Sequence, residues 1–421
     1  MFSDELDFEK ALVTLLVEKK GWSGGILKNP TEDDLIDNWA KILFDNNRTI
    51  DKLNNYPLTD TEMQQIINKI DILGTPLKLN SFINGKTVTI KRDNPNDIEH
   101  FGKEISLKIY DRDEIAAGQS VYQIAEQPRF SKKIKNLSDR RGDLMLLING
   151  MPVIHIELKA SGVPISNAQW QIQKYSKEGL FKGIFSLIQI FVTMNPEEMT
   201  YFANPGIEGA FNSKFYFHWE DFNNEIVNEW DKIADQFLSI PMAHQLIGFY
   251  TVPDDTDGIL KVMRSYQYYA ASRISDIVSK TDWDIKKDDK GGYIWHTTGS
   301  GKTMTSFKAA QLIANSKDAD KVIFLMDRIE LGTQSLREYR GFADDFDDIQ
   351  STESSNVLKS KIMSADPDDT LIVTSIQKMS RLKKGETLTL GEYEKINNKR
   401  IVIIIDECHR SVFGDMLQTI R

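Results

Sequence analysis

Two acidic side chains and a lysine stand at a spacing that suits metal-assisted hydrolysis. They lie in RRGDLMLLINGMPVIHIELKAS (140–161), where thirteen residues separate Asp143 from Glu157-Leu158-Lys159. Two carboxylates can hold Mg²⁺, which neutralises a scissile phosphate and generates hydroxide, and an ammonium can orient or deprotonate the attacking water. We therefore predict that Asp143 and Glu157 are metal ligands and that both, together with Lys159, are catalytic.

The pairing of two strands decides whether these three side chains meet. Asn149-Gly150 is a hairpin turn signal between the strands. Glu157 and Lys159 share one face of their strand because side chains alternate. A strict two-residue turn would pair Asp143 with Ile156 and place Glu157 on the opposite face. A three-residue turn or an equivalent bulge would pair Asp143 with Glu157, and we predict one of these two arrangements.

Neighbouring residues extend this constellation. Gln171 and Tyr175 are four apart in a predicted helix, so they lie on one face. Residues 128–142 contain six basic side chains and one acid, a local charge of 6 − 1 = +5, which we interpret as a contact for DNA phosphates. Glu9 is a candidate further acid, whereas His155 is interpreted as structural.

A second constellation, HTTGSGKT (296–303), is typical of a loop that binds nucleotide phosphates. Its glycines let successive N–H groups point at one phosphate cluster, and the following helix adds its dipole. Lys302 can reach the β- and γ-phosphates, and the Thr303 hydroxyl is a magnesium ligand. His296 stands where the general pattern has Gly or Ala. The predicted ATP and Mg²⁺ site comprises Thr298, Gly299, Ser300, Gly301, Lys302 and Thr303.

The partner of this loop is IVIIIDECHR (401–410), an apolar strand that ends in two carboxylates. An α/β sheet presents acids in this way at its carboxyl edge. We predict that Asp406 holds magnesium through its water shell, that Glu407 positions and polarises the attacking water, and that His409 links the nucleotide state to neighbouring elements. The two segments together predict an ATPase.

The ATPase segments resemble the superfamily 2 helicases and translocases, whose box reads D-E-x-H. VIFLMDRIEL (322–331) and LIVTSIQKM (371–379) are similar to two further motifs of that family. The resemblance implies contacts to the nucleic-acid backbone from Arg328, Thr374 and Gln377.

Two further resemblances follow from the motifs. Arg264 and Gln267 in RSYQYYA sit where superfamily 2 enzymes read adenine, whose N6/N7 edge an amide can bind. The acid–lysine pattern resembles the PD-(D/E)xK nucleases. Gln171 with Tyr175 matches the Q-x-x-x-Y pattern of the branch related to recombination enzymes, and this resemblance implies that both belong to the catalytic site.

A nuclease followed by a superfamily 2 motor closely resembles the restriction (motor) subunit of type I restriction–modification enzymes, from about Val121 to the end of the chain. The resemblance implies an ATP-dependent translocase and endonuclease that cuts double-stranded DNA away from its recognition site. It also implies a complex with methyltransferase and specificity subunits. Three alternatives stay open: a type III restriction subunit, in which the nuclease normally follows the motor; a repair or remodelling motor with a non-nucleolytic docking domain; and a nucleotide-regulated DNA-binding scaffold.

The elements that must position these residues predict an α/β protein. Strands over 107–110, 120–127, 144–148, 153–158 and 184–193, with a helix over 167–177, predict a mixed sheet. The segment 214–219 is strand-like as well. From about Gly258, short apolar strands, including one at 293–295, alternate with helices, which predicts a parallel sheet. With the resemblance, we place a PD-(D/E)xK endonuclease domain at 1–250 and a first RecA-like ATPase domain at 251–421. A second RecA-like domain is absent from the sequence, so we expect a fragment that binds ATP weakly and cannot translocate.

Composition narrows the class of protein. The 421 residues include 52 basic and 62 acidic side chains, a net charge of −10, which argues against binding nucleic acid over the whole surface. The lone cysteine, Cys408, excludes an intrachain disulfide or a multi-cysteine zinc site. The most apolar stretch, 184–194, is too short to span a bilayer. We expect a cytoplasmic protein without a membrane partner.

Overall fold

The chain forms two compact units in a computed structural model. The model describes residues 2–115, 118–130, 140–206, 209–283, 291–297, 299–326, 350–351, 354–383 and 385–405. The N-terminal unit comprises residues 1–253 and 258–265, and the C-terminal unit comprises residues 254–257 and 266–421. Among the described helices, none is both long enough and apolar enough to cross a bilayer.

A six-stranded mixed sheet is the centre of the N-terminal unit, with the order β1-β4-β5-β6-β7-β8. Its strands are β1 (Ile26–Lys28), β4 (Tyr122–Glu126), β5 (Leu144–Ile148), β6 (Met151–Leu158), β7 (Ile190–Asn195) and β8 (Glu198–Ala203). The pairs β1–β4 and β6–β7 are parallel and the other pairs are antiparallel. Every residue of β5 and β6 is buried, as expected for strands covered on both faces.

Helices and two small sheets surround this mixed sheet. The small sheets pair β2 (Thr87–Lys91) with β3 (Glu104–Lys108) and β9 (Thr251–Asp254) with β10 (Ile259–Val262). The helices are α1 (Glu5–Lys19), α2 (Glu32–Asn46), α3 (Asp60–Leu73), α4 (Pro76–Asn84), α5 (Ser166–Lys177), α6 (Trp230–Gln236) and α7 (Met242–Gln245). Because α5 packs against β6 and β7, it lies beside the strand that carries the predicted acid–lysine pair.

Two predictions for the N-terminal unit are wrong in detail. The apolar run 184–193 does not form one strand, because residues 183–187 form a 3₁₀ turn and β7 begins only at Ile190. Gly183 opens that turn with φ at +57°, which interrupts an extended chain. The aromatic segment 214–219 forms a short 3₁₀ turn and one isolated bridge, between Phe217 and Tyr201. Apolar composition identified these runs as ordered but did not fix their conformation.

The C-terminal unit holds a four-stranded parallel sheet with the order β12-β13-β11-β14. Its strands are β11 (Lys321–Met326), β12 (Gln350–Ser351), β13 (Leu371–Ser375) and β14 (Ile401–Ile405). The helices are α8 (Ser265–Ser279), α9 (Lys302–Ser316), α10 (Ser355–Met363), α11 (Ile376–Met379) and α12 (Leu390–Asn397). One face of the sheet packs on α10 and α11 through a cluster of buried residues: Ile323, Leu325, Leu358, Ile362, Ile372 and Ile376.

The strand predicted before the phosphate loop is not formed. Residues 291–297 belong to no helix or strand, and Tyr293 and Trp295 are each 84% exposed. These side chains favour extended structure, but a strand also needs a hydrogen-bonded neighbour, and the described residues supply none to this segment. The broader prediction of an α/β chain with mixed and parallel sheets and flanking helices is confirmed.

Candidate active site

A bulge in the β5–β6 hairpin sets the register of the predicted nuclease residues. The turn itself has two residues, Asn149 and Gly150, both at positive φ (52° and 84°), and Ile148 faces Met151 across it. The register then shifts between Leu147, which faces Pro152, and Leu146, which faces Ile154. Val153 is therefore the extra residue of β6, and of the two arrangements predicted from the sequence the structure has the bulge.

The bulge brings Asp143 next to Glu157. Leu144 faces Ile156, so the next position along each strand pairs Asp143 with Glu157. The Asp143 Oδ2 atom accepts a hydrogen bond of 2.7 Å from the backbone N–H of Leu158. The two groups interact, since the Glu157 charge contributes to a raised pKa of Asp143 and a hydrogen bond with Asp143 lowers the pKa of Glu157. The two carboxylates thus lie on one face of the sheet.

Burial makes this acid pair costly to ionise. Glu157 is fully buried, and burial raises its pKa to about 8, against a lowering contribution from Lys159. Burial and the Glu157 charge hold the pKa of Asp143 well above its usual range, although its side chain keeps some exposure. Two neighbouring carboxyl groups of this kind resist carrying two negative charges. A divalent cation would offset both charges, so the pair is a suitable set of metal ligands.

Both oxygens of Glu157 are held in place by neighbouring side chains. The His155 Nε2 atom lies 3.0 Å from Oε2, and the Gln171 amide donates a hydrogen bond to Oε1. Gln171 also donates to the Tyr175 hydroxyl at 2.8 Å, and that hydroxyl donates to the Arg141 carbonyl at 2.8 Å. The residues predicted from helical spacing therefore do meet the predicted acid.

His155 is more closely involved than its interpretation as a structural residue implied. Its ring is fully buried, and burial lowers its pKa to about 4, so the imidazole is neutral near pH 7. Phe130, Phe181 and Phe191 surround it edge-on or tilted. Alternation along β6 already places His155 on the face of Glu157, and that parity was the sequence signal for a direct contact.

The residue before Asp143 has to be small. A Cβ atom added to Gly142 would lie 2.6 Å from the His155 Cε1 atom, a distance that requires the ring or the strand to move. Since the neighbouring phenyl rings enclose the imidazole, the ring has little room to retreat. Gly142 therefore lets His155 reach Glu157.

Lys159 lies at the end of β6 beside the acid pair. Its ammonium donates to the Leu158 carbonyl and lies 3.4 Å from Glu5 Oε2 on α1. Its positive charge lowers the pKa of both Glu157 and Asp143. The lysine is thus within electrostatic reach of both carboxylates.

Glu9 on α1 is a fourth acid in this neighbourhood. Burial, followed by the Asp143 charge, raises its pKa to about 7, and Gln127 lies 3.5 Å from its Oε1 atom. Within the described residues, no three His, Cys, Asp or Glu side chains converge as a multidentate metal site would require. Mg²⁺ usually keeps several waters and uses one or two protein carboxylates, so Asp143 and Glu157 fit that ion without Glu9.

The ends of the basic segment are anchored beside the site. Pro128–Phe130 and Arg140–Gly142 run antiparallel through an isolated bridge between Arg129 and Arg141. Arg140 forms a two-pronged ion pair with Glu178, with both N···O distances at 3.1 Å. Residues 131–139, with three of the six basic residues of this segment, lie outside the described residues.

The phosphate loop precedes α9 as predicted. Gly299 and Gly301 have φ of +77° and +80°, and α9 starts at Lys302 without a capping side chain among the described residues. Thr303 follows in the first turn. The N–H groups of that turn and the Lys302 ammonium could donate hydrogen bonds to the oxygens of a phosphate. Thr298 lies outside the described residues.

Side chains on both sides fix this loop. The Gln267 amide, predicted to read adenine, donates to the carbonyl of Ser300 at 3.1 Å and that of Gly301 at 3.4 Å. A Cβ atom at Gly301 would lie 2.3 Å from the Gln267 amide nitrogen. His296 lies 2.8 Å from the Ser300 hydroxyl, and burial together with the Lys302 charge lowers its pKa. His296 therefore supports the loop at the position where the usual pattern has a small residue.

Several predicted motor residues cannot be placed. Asp406 and Glu407 directly follow β14 in the sequence but lie outside the described residues, as do Arg328, Cys408 and His409. Two others are described: Thr374 lies in β13 and is buried, and Gln377 lies in α11. Arg264 packs its guanidinium over the Phe217 ring in the N-terminal unit, 4.5 Å from the ring centroid.

Two family models match the chain, one for each part. Residues 3–208 match the type I restriction enzyme R protein N terminus, and residues 266–421 match the SWI2/SNF2 ATPase. The C-terminal part of the chain is therefore an SWI2/SNF2 ATPase domain, and the first match contains all five predicted nuclease residues.

Curated relatives give the same result over nearly the whole chain. A type I restriction enzyme endonuclease subunit of Staphylococcus saprophyticus is 34% identical over 416 residues, covering 98% of this chain and 41% of the relative. One from Staphylococcus aureus is 35% identical over 387 residues, covering 92% and 38%. The chain thus spans about two fifths of the length of these relatives.

A shorter relative is covered almost completely. It is described as the C-terminal part of a putative type I restriction enzyme endonuclease subunit from Mycoplasma pneumoniae. It is 38% identical over 206 residues, which are 48% of this chain and 97% of the relative. The chain belongs to the family of type I restriction enzyme endonuclease subunits.

Proposed function

We propose that the N-terminal unit is a Mg²⁺-dependent endonuclease of the PD-(D/E)xK type. The observation that carries the proposal is the pair of the partly exposed Asp143 and the fully buried Glu157, aligned by the Val153 bulge with Lys159 beside it. Asp143 and Glu157 would hold the metal. Bound Mg²⁺ would supply positive charge for the scissile phosphate and a more acidic water.

The protein's own side chains would do the remaining work. Gln171 and His155 fix the two oxygens of Glu157, so that the carboxylate does not have to reorganise when it binds. Tyr175 holds Gln171 and, through the Arg141 carbonyl, the strand that leads into Asp143. Lys159 would orient or deprotonate the attacking water and offset negative charge.

For the C-terminal unit we propose a RecA-like motor domain that binds ATP and Mg²⁺ and moves along double-stranded DNA. Support comes from the start of α9 at Lys302, which no side chain of a described residue caps, from the parallel sheet and from the match to the SWI2/SNF2 ATPase. Residues 299–303 would hold the phosphates, with Thr303 and Asp406 on the metal and Glu407 at the attacking water. Thr298 and Gln267 would complete the nucleotide site.

In the complete protein these two activities would serve restriction. We propose that the subunit works with methyltransferase and specificity subunits, which locate a DNA sequence, while the motor translocates DNA and the nuclease cuts away from that sequence. Relatives that are named as type I restriction enzyme subunits support this assignment.

Substituting Asp143→Ala or Lys159→Ala in the full-length subunit, assembled with its partners, tests the nuclease. Cleavage should fall at least about a hundredfold, because the metal or the attacking water loses its support. DNA-stimulated ATP hydrolysis and translocation should be unchanged, since neither residue belongs to the phosphate loop. Cleavage is followed on a plasmid with one recognition site, and ATP hydrolysis in the same reaction.

Asp45→Ala, which removes an exposed acid from α2, is the matched control and should cut like the wild type. If Asp143→Ala and Lys159→Ala cut at the wild-type rate, the N-terminal unit is a docking module and the proposal fails.

A further inference from the structure

The outer face of α5 presents an exposed aromatic ring between polar and basic side chains. Trp170 is 71% exposed, and Asn167, Lys174 and Lys177 are exposed as well. Successive spacings of three, four and three residues place the four on one side of the helix. We call these four residues the α5 outer stripe.

This stripe borders the predicted active site. Gln171, which holds Glu157, directly follows Trp170 and so lies about 100° around the helix from it. Ala168 and Ile172 turn towards the core, so the helix is fixed and its outer face cannot rotate inward. At the C-terminal end of α5, the Tyr175 hydroxyl holds the carbonyl of Arg141, whose side chain is also exposed.

The charge of this face is unbalanced. Within the described residues, Lys174, Lys177 and Arg141 make no side-chain ion pair, although the chain as a whole carries a net charge of −10. Positive charge held beside an acid pair on an acidic protein is complementary to a polyanion. A large exposed aromatic ring among such cations is the platform on which nucleotide bases or sugars pack.

We propose that the α5 outer stripe binds one strand of the DNA next to the phosphate that is cut. Lys174 and Lys177 contact phosphates of that strand, and Trp170 packs against one of its sugars or bases. The stripe from Asn167 to Lys177 is about 15 Å long, at 1.5 Å per residue. That length covers about four nucleotides, at a rise of 3.4 Å each. The inference rests on the proposed nuclease function.

The test removes the stripe from the full-length subunit in its complex by combining Trp170→Ala, Lys174→Ala and Lys177→Ala. Cleavage should fall about tenfold or more, because stacking and two phosphate contacts are lost. For DNA binding, the slope of log affinity against log salt should shrink by about 2. ATP hydrolysis and the thermal unfolding midpoint should not change. The conservative set Trp170→Phe, Lys174→Arg and Lys177→Arg should restore cutting.

Lys91→Ala, in the separate β2–β3 sheet, removes an exposed lysine as the control and should leave cutting and the salt slope unaltered. If the wild type cuts and Asp143→Ala does not, but the triple variant cuts like the wild type with an unchanged slope, the stripe proposal is overturned and the nuclease proposal survives. Loss of assembly with the partner subunits would also overturn it, because the stripe would then be a protein interface. A wild-type complex that does not cut DNA contradicts the nuclease itself.

Discussion

At the scale of single residues, the predicted nuclease site contains carboxyl groups whose ionisation is unfavourable in the folded protein. Glu157 is fully buried, and its pKa is raised to about 8 from an ordinary value of 4.5. The folded protein therefore keeps a proton that the unfolded chain releases once the pH exceeds about 4.5. The contribution of Glu157 to stability is fully present below that pH and is lost as the pH rises to about 8, because folding then requires either the proton or an ionised buried group.

A neutral replacement should reverse this loss. With a chelator present, Glu157→Gln should raise the free energy of unfolding by about 1 kcal/mol or more at pH 8.5, since the amide needs no proton. The gain should shrink towards zero at pH 4.5. Chemical unfolding at both pH values measures it.

Glu18→Gln, at an exposed position of α1, should leave stability the same at both pH values. A Glu157→Gln effect of equal size at pH 4.5 and pH 8.5 would show that packing, and not ionisation, is responsible.

At the scale of elements, the β5–β6 hairpin could be predicted more fully than the helices that precede it. The alternation of Glu157 and Lys159 and the Asn149-Gly150 turn are local signals. Together with the hypothesis that Asp143 and Glu157 share a site, they required either a three-residue turn or a bulge, and the structure has the bulge. Which residue forms the bulge, Val153, depends on the pairing of β6 with β5 and β7 and could not be predicted from the sequence. Residues 23–105 are mixed and polar in sequence, so hydrophobic spacing alone does not assign their helices.

The starts of α2 and α3 nevertheless carry readable signals. Thr31 with Asp34 and Thr59 with Glu62 form capping boxes, in which each side chain bonds the other residue's backbone N–H. The strand predicted at 293–295 was wrong for a different reason. Its residues have a strong strand propensity, but no described strand pairs with them, so the segment forms no strand. Whether a strand finds a pairing partner depends on the tertiary structure, which the propensities of single residues do not contain.

The hairpin turn offers a test at this scale. Gly150 has φ at +84°, and a Cβ atom there would lie 2.8 Å from the Trp39 Cα atom. Gly150→Ala should therefore lower the free energy of unfolding by about 2 kcal/mol or more, through backbone strain and the clash together. Thermal and denaturant unfolding of the protein report it.

Gly162→Ala is a matched comparison, because its φ is +78° but nothing lies within 4 Å of the added atom. That variant should lose only about 1 kcal/mol, from backbone strain alone. Equal losses for the two variants would mean that the approach of Trp39 does not constrain the turn.

At the scale of the whole molecule, the sequence predicts a nuclease site and an ATPase site. The structure describes more of the nuclease residues than of the ATPase residues. The five nuclease residues Asp143, Glu157, Lys159, Gln171 and Tyr175 are all described and lie together. In the C-terminal unit the loop glycines, Lys302 and Thr303 are described, whereas the DECH box is not. Net charge was uninformative about DNA because opposite local charges cancel in the total.

If the proposed motor drives cleavage, a defect in the phosphate loop should abolish both proposed activities. Lys302→Ala in the full-length protein with its partner subunits should abolish DNA-stimulated ATP hydrolysis, because the phosphates lose their only loop cation. Cutting away from the recognition site should be lost with it, since it would follow translocation. ATP hydrolysis and plasmid cleavage are measured together.

Lys395→Ala, at an exposed position of α12, is the control and should keep both activities. Continued cutting by Lys302→Ala without ATP hydrolysis would show that the nuclease does not depend on the motor.

The closeness of Gly142 to His155 changes how relatives of this site should be recognised. The pattern of an acid followed by Glu-x-Lys has too few fixed positions to identify a nuclease in a single sequence. A side chain at position 142 would occupy the space of the imidazole ring. We therefore expect related sequences either to have both Gly142 and His155 or to have other residues at both positions. A search that requires Gly-Asp on one strand and His-x-Glu-x-Lys on the next would use five positions, and it would separate this arrangement from chance pairs of acids on hairpins.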